Sequence, residues 1–153
     1  MSTSIPKFHY IENHLRVDID NIEEKIKEDF PLLDPNRTVI LAPIRGGLIP
    51  STWLSHRLEL PLKTCQFQRY DGNDGKPLLY GIPSDVCNII VVDDICDKGV
   101  TMECIKTELE ARFPNCGIGY YTLVAPQGGG MDYVYSARIV PAGYWTHFYW
   151  EKY

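Results

Sequence analysis

Asp93 and Asp94 are adjacent carboxylates at the end of the apolar run Ile89-Ile90-Val91-Val92, and Asp97, Gly99 and Thr101 follow in a short polar stretch. Four branched aliphatics in a row read as a parallel strand buried on both faces. From Met102 to Phe113 the composition is that of a helix. A strand, a short loop and a helix start make an anion cradle, because free main-chain N–H groups and the helix dipole face the ligand. Carboxylates beside such a cradle make sense if they hold sugar hydroxyls and a divalent cation. The chemistry implied is the handling of a phosphorylated sugar with Mg²⁺.

Those residues need elements to hold them. Ile19, Ile22, Ile26 and Phe30 recur at helical steps, with acids and lysines between, and predict a helix from about Ile11 to Phe30 closed by Pro31 and Pro35. Thr38 to Ala42 reads as a strand and Pro43 to Gly47 as a tight turn. Leu48 to Leu58 reads as a helix, with Pro50 tolerated in its first turn. Leu62 to Gln68 is a second strand. Tyr70 to Pro83 is rich in turn formers and reads as a mobile loop or hairpin. After the Ile89 strand and its helix come strands at Ile118 to Val124 and Val134 to Val140, separated by a loop from Pro126 to Gly130, and then an aromatic tail. This alternation predicts an α/β fold with an open, mainly parallel sheet flanked by helices, in one domain over residues 1–153. Ligands in such sheets bind beyond the carboxyl ends of the strands. The loops at Arg45 and at Asp93 to Thr101 both follow strands, so they open on the same edge.

The bulk composition narrows the classes. With 153 residues, 44% hydrophobic and 23% charged, the chain suits an ordinary globular domain. A net charge of −5 argues against nucleic acid or an anionic membrane as the main partner. No apolar stretch has the length of a membrane span, and the first residues lack the run of a signal peptide. Five cysteines without a C-x-x-C pair read as reduced thiols, so the expected compartment is the cytoplasm.

The order of residues from Ile89 to Thr101 closely resembles the phosphoribosyl pyrophosphate (PRPP) signature of type I phosphoribosyltransferases. The resemblance implies that Asp93 and Asp94 hold the ribose hydroxyls and contribute to Mg²⁺ binding. It also implies that the loop of Asp97, Lys98, Gly99, Val100 and Thr101 wraps the 5′-phosphate through main-chain N–H groups and the Thr101 hydroxyl, with Ile95 and Cys96 also among the substrate-binding residues. Lys98 stands where a Thr or Ser is common. Ala42 to Pro50, with Arg45-Gly46-Gly47 at its centre, resembles the pyrophosphate loop of the same family. Its glycines let main chain approach a diphosphate closely, and Arg45 offers forked hydrogen bonds. The family pattern further implies a cis peptide between Ile44 and Arg45.

Within the family the likeness is to bacterial xanthine-guanine phosphoribosyltransferases. It implies a lid opened by Tyr70-Asp71 and a base-binding segment from Pro141 to Trp150, with Trp145 and Thr146 clamping the base. Arg69 and Lys76 are candidates to reach the diphosphate from the lid. Two positions depart from that group. Ala125 stands where a Lys reads the purine 6-oxo group, and Thr146 and His147 replace an apolar residue and an acid.

The implied reaction is transfer of the 5-phosphoribosyl group from PRPP to a purine base of the guanine, xanthine or hypoxanthine type, in nucleotide salvage. Asp97, at the start of the phosphate loop, is the candidate for holding the base proton. Two other readings stay open: a homologue that binds PRPP or nucleotides without turnover, and a transferase for a non-purine base. The aromatic tail and the resemblance together imply a homodimer or homotetramer.

Overall fold

The computed structural model describes residues 4–67 and 76–151. Six strands form one sheet in the order β4-β3-β2-β5-β6-β7. They are β2 (Thr38–Ile44), β3 (Leu62–Phe67), β4 (Pro77–Tyr80), β5 (Asn88–Ile95), β6 (Gly117–Pro126) and β7 (Val134–Val140). All neighbours are parallel except β3 and β4, which form an antiparallel pair at one edge. Within the expected turn-rich segment, Pro77–Tyr80 is a strand, antiparallel to β3. Arg69 and the Tyr70-Asp71 start of the expected lid lie outside the described residues.

The run of aliphatics in β5 is explained by what covers it. Ile90 and Val92 face one core with Leu15, Ile19, Ile22 and Ile26 of α1 (Glu12–Asp29) and Leu54 of α2 (Leu48–Leu58). Ile89 and Val91 face the other, with Met102, Ile105 and Leu109 of α3 (Val100–Arg112). Successive side chains point to opposite faces, so a strand covered on both sides must be apolar at every position. The strands also run further than expected: β2 continues through Pro43 to Ile44, and β6 through Pro126. Pro43 is tolerated because β2 is paired there with β3 alone, its pairing with β5 ending at Leu41.

Two features run against the local pattern. Residues Lys7–Tyr10 form a strand, β1, which pairs in parallel with β8 (Trp145–Phe148) in a separate two-stranded sheet. Tyr10 packs against Phe148 at 4.9 Å between ring centroids, and Phe148 stacks on Trp150 at 4.7 Å. The second feature is Asp18. On α1 it falls among the acids expected to face water, yet it is 1% exposed. Its carboxylate accepts the Tyr10 hydroxyl at 2.6 Å and a forked pair from Arg138 of β7 at 3.0 and 3.1 Å. A buried charge persists where it is paired and hydrogen-bonded. These bonds join β1, α1 and β7, and so hold the small sheet against the large one.

Candidate active site

The carboxyl ends of β2 and β5 bring both chemistry-bearing loops together. Main chain at Gly46 lies so close to Asp94 that an added Cβ would meet its carboxylate oxygens at 2.4 and 2.7 Å. Only glycine permits that approach. Gly47 is buried beneath, at the start of α2, where Ser51 donates to the Val92 carbonyl at 2.9 Å. Arg45 is exposed beside them, and the Ile44–Arg45 peptide is cis, as expected.

The loop after β5 is tighter than its sequence implied. Helix α3 begins at Val100, so Thr101 stands in its first turn rather than in the loop. Gly99 precedes it with φ of 78°, a left-handed conformation that favours glycine. A cavity of about 230 Å³ lies over this turn, lined by Asp93, Ile95, Asp97, Lys98, Gly99 and Thr101 among others. Cys96 also lines it but is buried, and burial, with Asp93 and Asp97 nearby, pushes its thiol up, the behaviour of a packed thiol. Lys98 and Val100 are exposed at the rim.

A second cavity, of about 560 Å³, opens on the other side of the same strand end. Asp94, Ile95 and Asp97 form one wall, and Trp145, Thr146 and Phe148 of β8 form another. Trp145 is 63% exposed. Thr146 is 6% exposed, and among the described residues its hydroxyl has no hydrogen-bond partner. A buried hydroxyl left unpaired beside a cavity is a costly arrangement unless a ligand completes it.

The phosphoribosyl transferase domain model matches residues 11–150. The chain belongs to that family. Its structure is similar to a purine phosphoribosyltransferase from Pyrococcus horikoshii, with 26% identity, a TM-score of 0.75, and coverage of 96% of this chain and 95% of that one. It is similar in fold to the xanthine-guanine-hypoxanthine phosphoribosyltransferase of Helicobacter pylori, at 18% identity and a TM-score of 0.74, covering 95% and 93% of the two chains. It also shares its fold with an orotate phosphoribosyltransferase from Aeropyrum pernix, at 23% identity and 0.59, covering 84% and 73%. Curated protein sequences gave no match.

In this phosphoribosyltransferase the carboxylate pair is electrostatically unfinished. Burial, reinforced by the neighbouring Asp94 carboxylate, pushes Asp93 well above the usual carboxylate range. Burial also raises Asp94, with Glu151 adding to it, while hydrogen bonds from Asp93 and the Ile95 main chain oppose the shift. Two short-range amides donate to this pair, Asp94 N to Asp93 at 2.8 Å and Ile95 N to Asp94 at 2.7 Å. Two crowded oxygen donors short of positive charge fit a hard divalent ion. Among the described residues no cluster of three or more His, Cys, Asp or Glu could hold a metal. Mg²⁺ takes one or two carboxylates and completes its shell with substrate phosphates and water, so Asp93 and Asp94 are the residues that would hold it.

Not every expected residue joins the site. Lys76 is exposed at the base of β4 and lines neither cavity. His147 does not line the base cavity, and its ring lies edge-on to that of His9 at 5.8 Å. Ala125 is buried in β6 and brings no cation.

Other residues enter without having been singled out. Gly130 donates to the Asp97 carbonyl at 2.8 Å, and the Met131 side chain fills the space that a Cβ at Gly99 would need. The Gly128-Gly129-Gly130 run was the available signal for a close buttress at that turn. Ile5 and Glu151 line the base cavity. They carry no local signal, since the pairing of β1 with β8 brings them there.

Among the described residues no helix is long and apolar enough to cross a membrane.

Proposed function

We propose that this phosphoribosyltransferase transfers the 5-phosphoribosyl group of PRPP to a ring nitrogen of a purine base of the guanine, xanthine or hypoxanthine type, releasing pyrophosphate. One observation carries the reading: the phosphate-loop cavity and the cavity under β8 share Ile95 and Asp97. A sugar phosphate in the first and a planar base in the second would meet at that point. Approximation of this kind is a large part of catalysis in such a transfer.

The roles follow from position. Main-chain amides of Asp97 to Thr101, with the Thr101 hydroxyl, hold the 5′-phosphate at the start of α3. Asp93 and Asp94 accept the ribose hydroxyls and would hold Mg²⁺. When bound, that ion supplies positive charge to the diphosphate. Arg45 and the amides of Gly46 and Gly47 bind the departing diphosphate, and Lys76 is a further candidate to reach it. Trp145 and Thr146 hold the base. Asp97, on the boundary of the two cavities, holds the base proton as the nitrogen attacks C1 of the ribose. The whole chain acts as one domain, and the exposed aromatic rings of Tyr144, Trp145 and Tyr149 suit contact between copies in a homodimer or homotetramer.

The test is incubation with PRPP, Mg²⁺ and a panel of purine and pyrimidine bases, following nucleotide and pyrophosphate. Nucleotide from a purine supports the reading. PRPP binding without product, or product from pyrimidines alone, overturns it.

A further inference from the structure

The base cavity has an unusual balance of charge. Among the described residues its charged side chains are all carboxylates: Asp94, Asp97 and Glu151. Glu151 is also fixed in direction. Phe148 N donates to its Oε1 at 2.9 Å, and Glu151 N donates back to the Phe148 carbonyl at 2.9 Å. The turn therefore ties the carboxylate to Phe148, which lines the same cavity. A carboxylate has about four lone-pair sites, so the Phe148 bond leaves acceptor capacity on the Glu151 carboxylate.

Two parallel acceptors match two parallel N–H donors. Among purines, guanine presents such a pair at N1 and the 2-amino group. Hypoxanthine has the first donor only. Xanthine sets an oxo group at position 2 and readily carries negative charge, so it meets repulsion there. Adenine offers one donor beside a lone pair. Resting on the proposed transfer reaction, we infer that Glu151 is a specificity-determining residue that selects guanine, the base with adjacent imino and amino donors, over its 2-oxo counterpart. The unpaired Thr146 hydroxyl supplies a second polar contact in the same cavity. A base that presents an oxo group where the site presents a carboxylate meets repulsion instead of a hydrogen bond, and specificity is gained from that repulsion as well as from the attraction.

The test compares the full-length protein with Glu151→Gln at saturating Mg²⁺ and PRPP, measuring kcat/KM for guanine, hypoxanthine and xanthine, with KM for PRPP as the control for folding. The expected result is a wild-type preference for guanine over xanthine of at least about tenfold. In Glu151→Gln, guanine falls about tenfold, the size expected for one charged hydrogen bond. Xanthine does not fall with it, and KM for PRPP stays within about twofold. Xanthine or hypoxanthine used as well as guanine by the wild type, or an unchanged ratio in the variant, overturns the role of Glu151 and leaves the transfer reaction standing. Absence of nucleotide from every base overturns both.

Discussion

Asp18 and Asp93 are both buried carboxylates, at 1% and 9% exposure, and their surroundings differ in kind. Asp18 receives a phenol and a forked guanidinium from two other elements. Asp93 receives the amide of its own neighbour and faces a second carboxylate. One charge is completed by the fold. The other is left for something the fold does not contain. A chain tolerates a few such unfinished groups where a ligand finishes them, and this contrast separates structural from functional acids better than burial does.

The contrast can be broken by substitution. Asp18→Ala leaves Arg138 without its partner and the Tyr10 hydroxyl orphaned. The expected loss of stability is about 3 kcal/mol, at the lower end for a broken buried pair because Arg138 keeps some water. A urea midpoint shifted by less than about 1 kcal/mol equivalent would show that the bonds are ornamental.

Asp93→Asn should do the opposite to the ligand-free protein. Because the folded state raises the Asp93 carboxyl, it binds more protons than the unfolded chain between the two titrations, and stability falls as pH rises. The wild type is thus expected to lose stability from about pH 4, the unfolded carboxylate range, toward neutrality. Asp93→Asn should flatten that slope and gain about 1 kcal/mol at neutral pH, while weakening Mg²⁺–PRPP binding at least about tenfold. Thermal melts across pH and titration calorimetry check the two halves. A steeper slope in the variant would refute the assignment.

Asp97 sharpens the comparison from another side, since it is exposed where Asp93 is buried. Asp97→Asn is expected to lower kcat at least about tenfold with KM for PRPP little changed. Equal turnover would remove it from the proton-holding role. The smallest effect is expected from Gly46→Ala, whose methyl must displace the Asp94 carboxylate. KM for PRPP should rise roughly threefold to tenfold, with the melting point held within a few degrees.

Much of this was open to reading along the chain. Four consecutive aliphatics before two acids can only be a doubly covered strand delivering carboxylates to its end, because each residue's face follows from period-two geometry. The Arg45 turn and the phosphate loop share an edge because both follow parallel strands. Spacing could not reveal Asp18 as an interior residue, since an acid between isoleucines on a helix looks the same whether water or a distant guanidinium awaits it. The start of α3 at Val100 was likewise hidden, because a valine and a threonine carry little helical signal of their own.

From its residue order alone, then, this protein is committed to an α/β sheet with a phosphate cradle and a carboxylate pair at one edge. Those features arise from neighbours in the chain and need no distant partner. Tertiary packing decided the rest: β1 against β8, Asp18 against Arg138, and Glu151 in the wall of the base cavity. Each joins residues far apart in sequence, and such contacts gain their energy only after the long loops between them have closed.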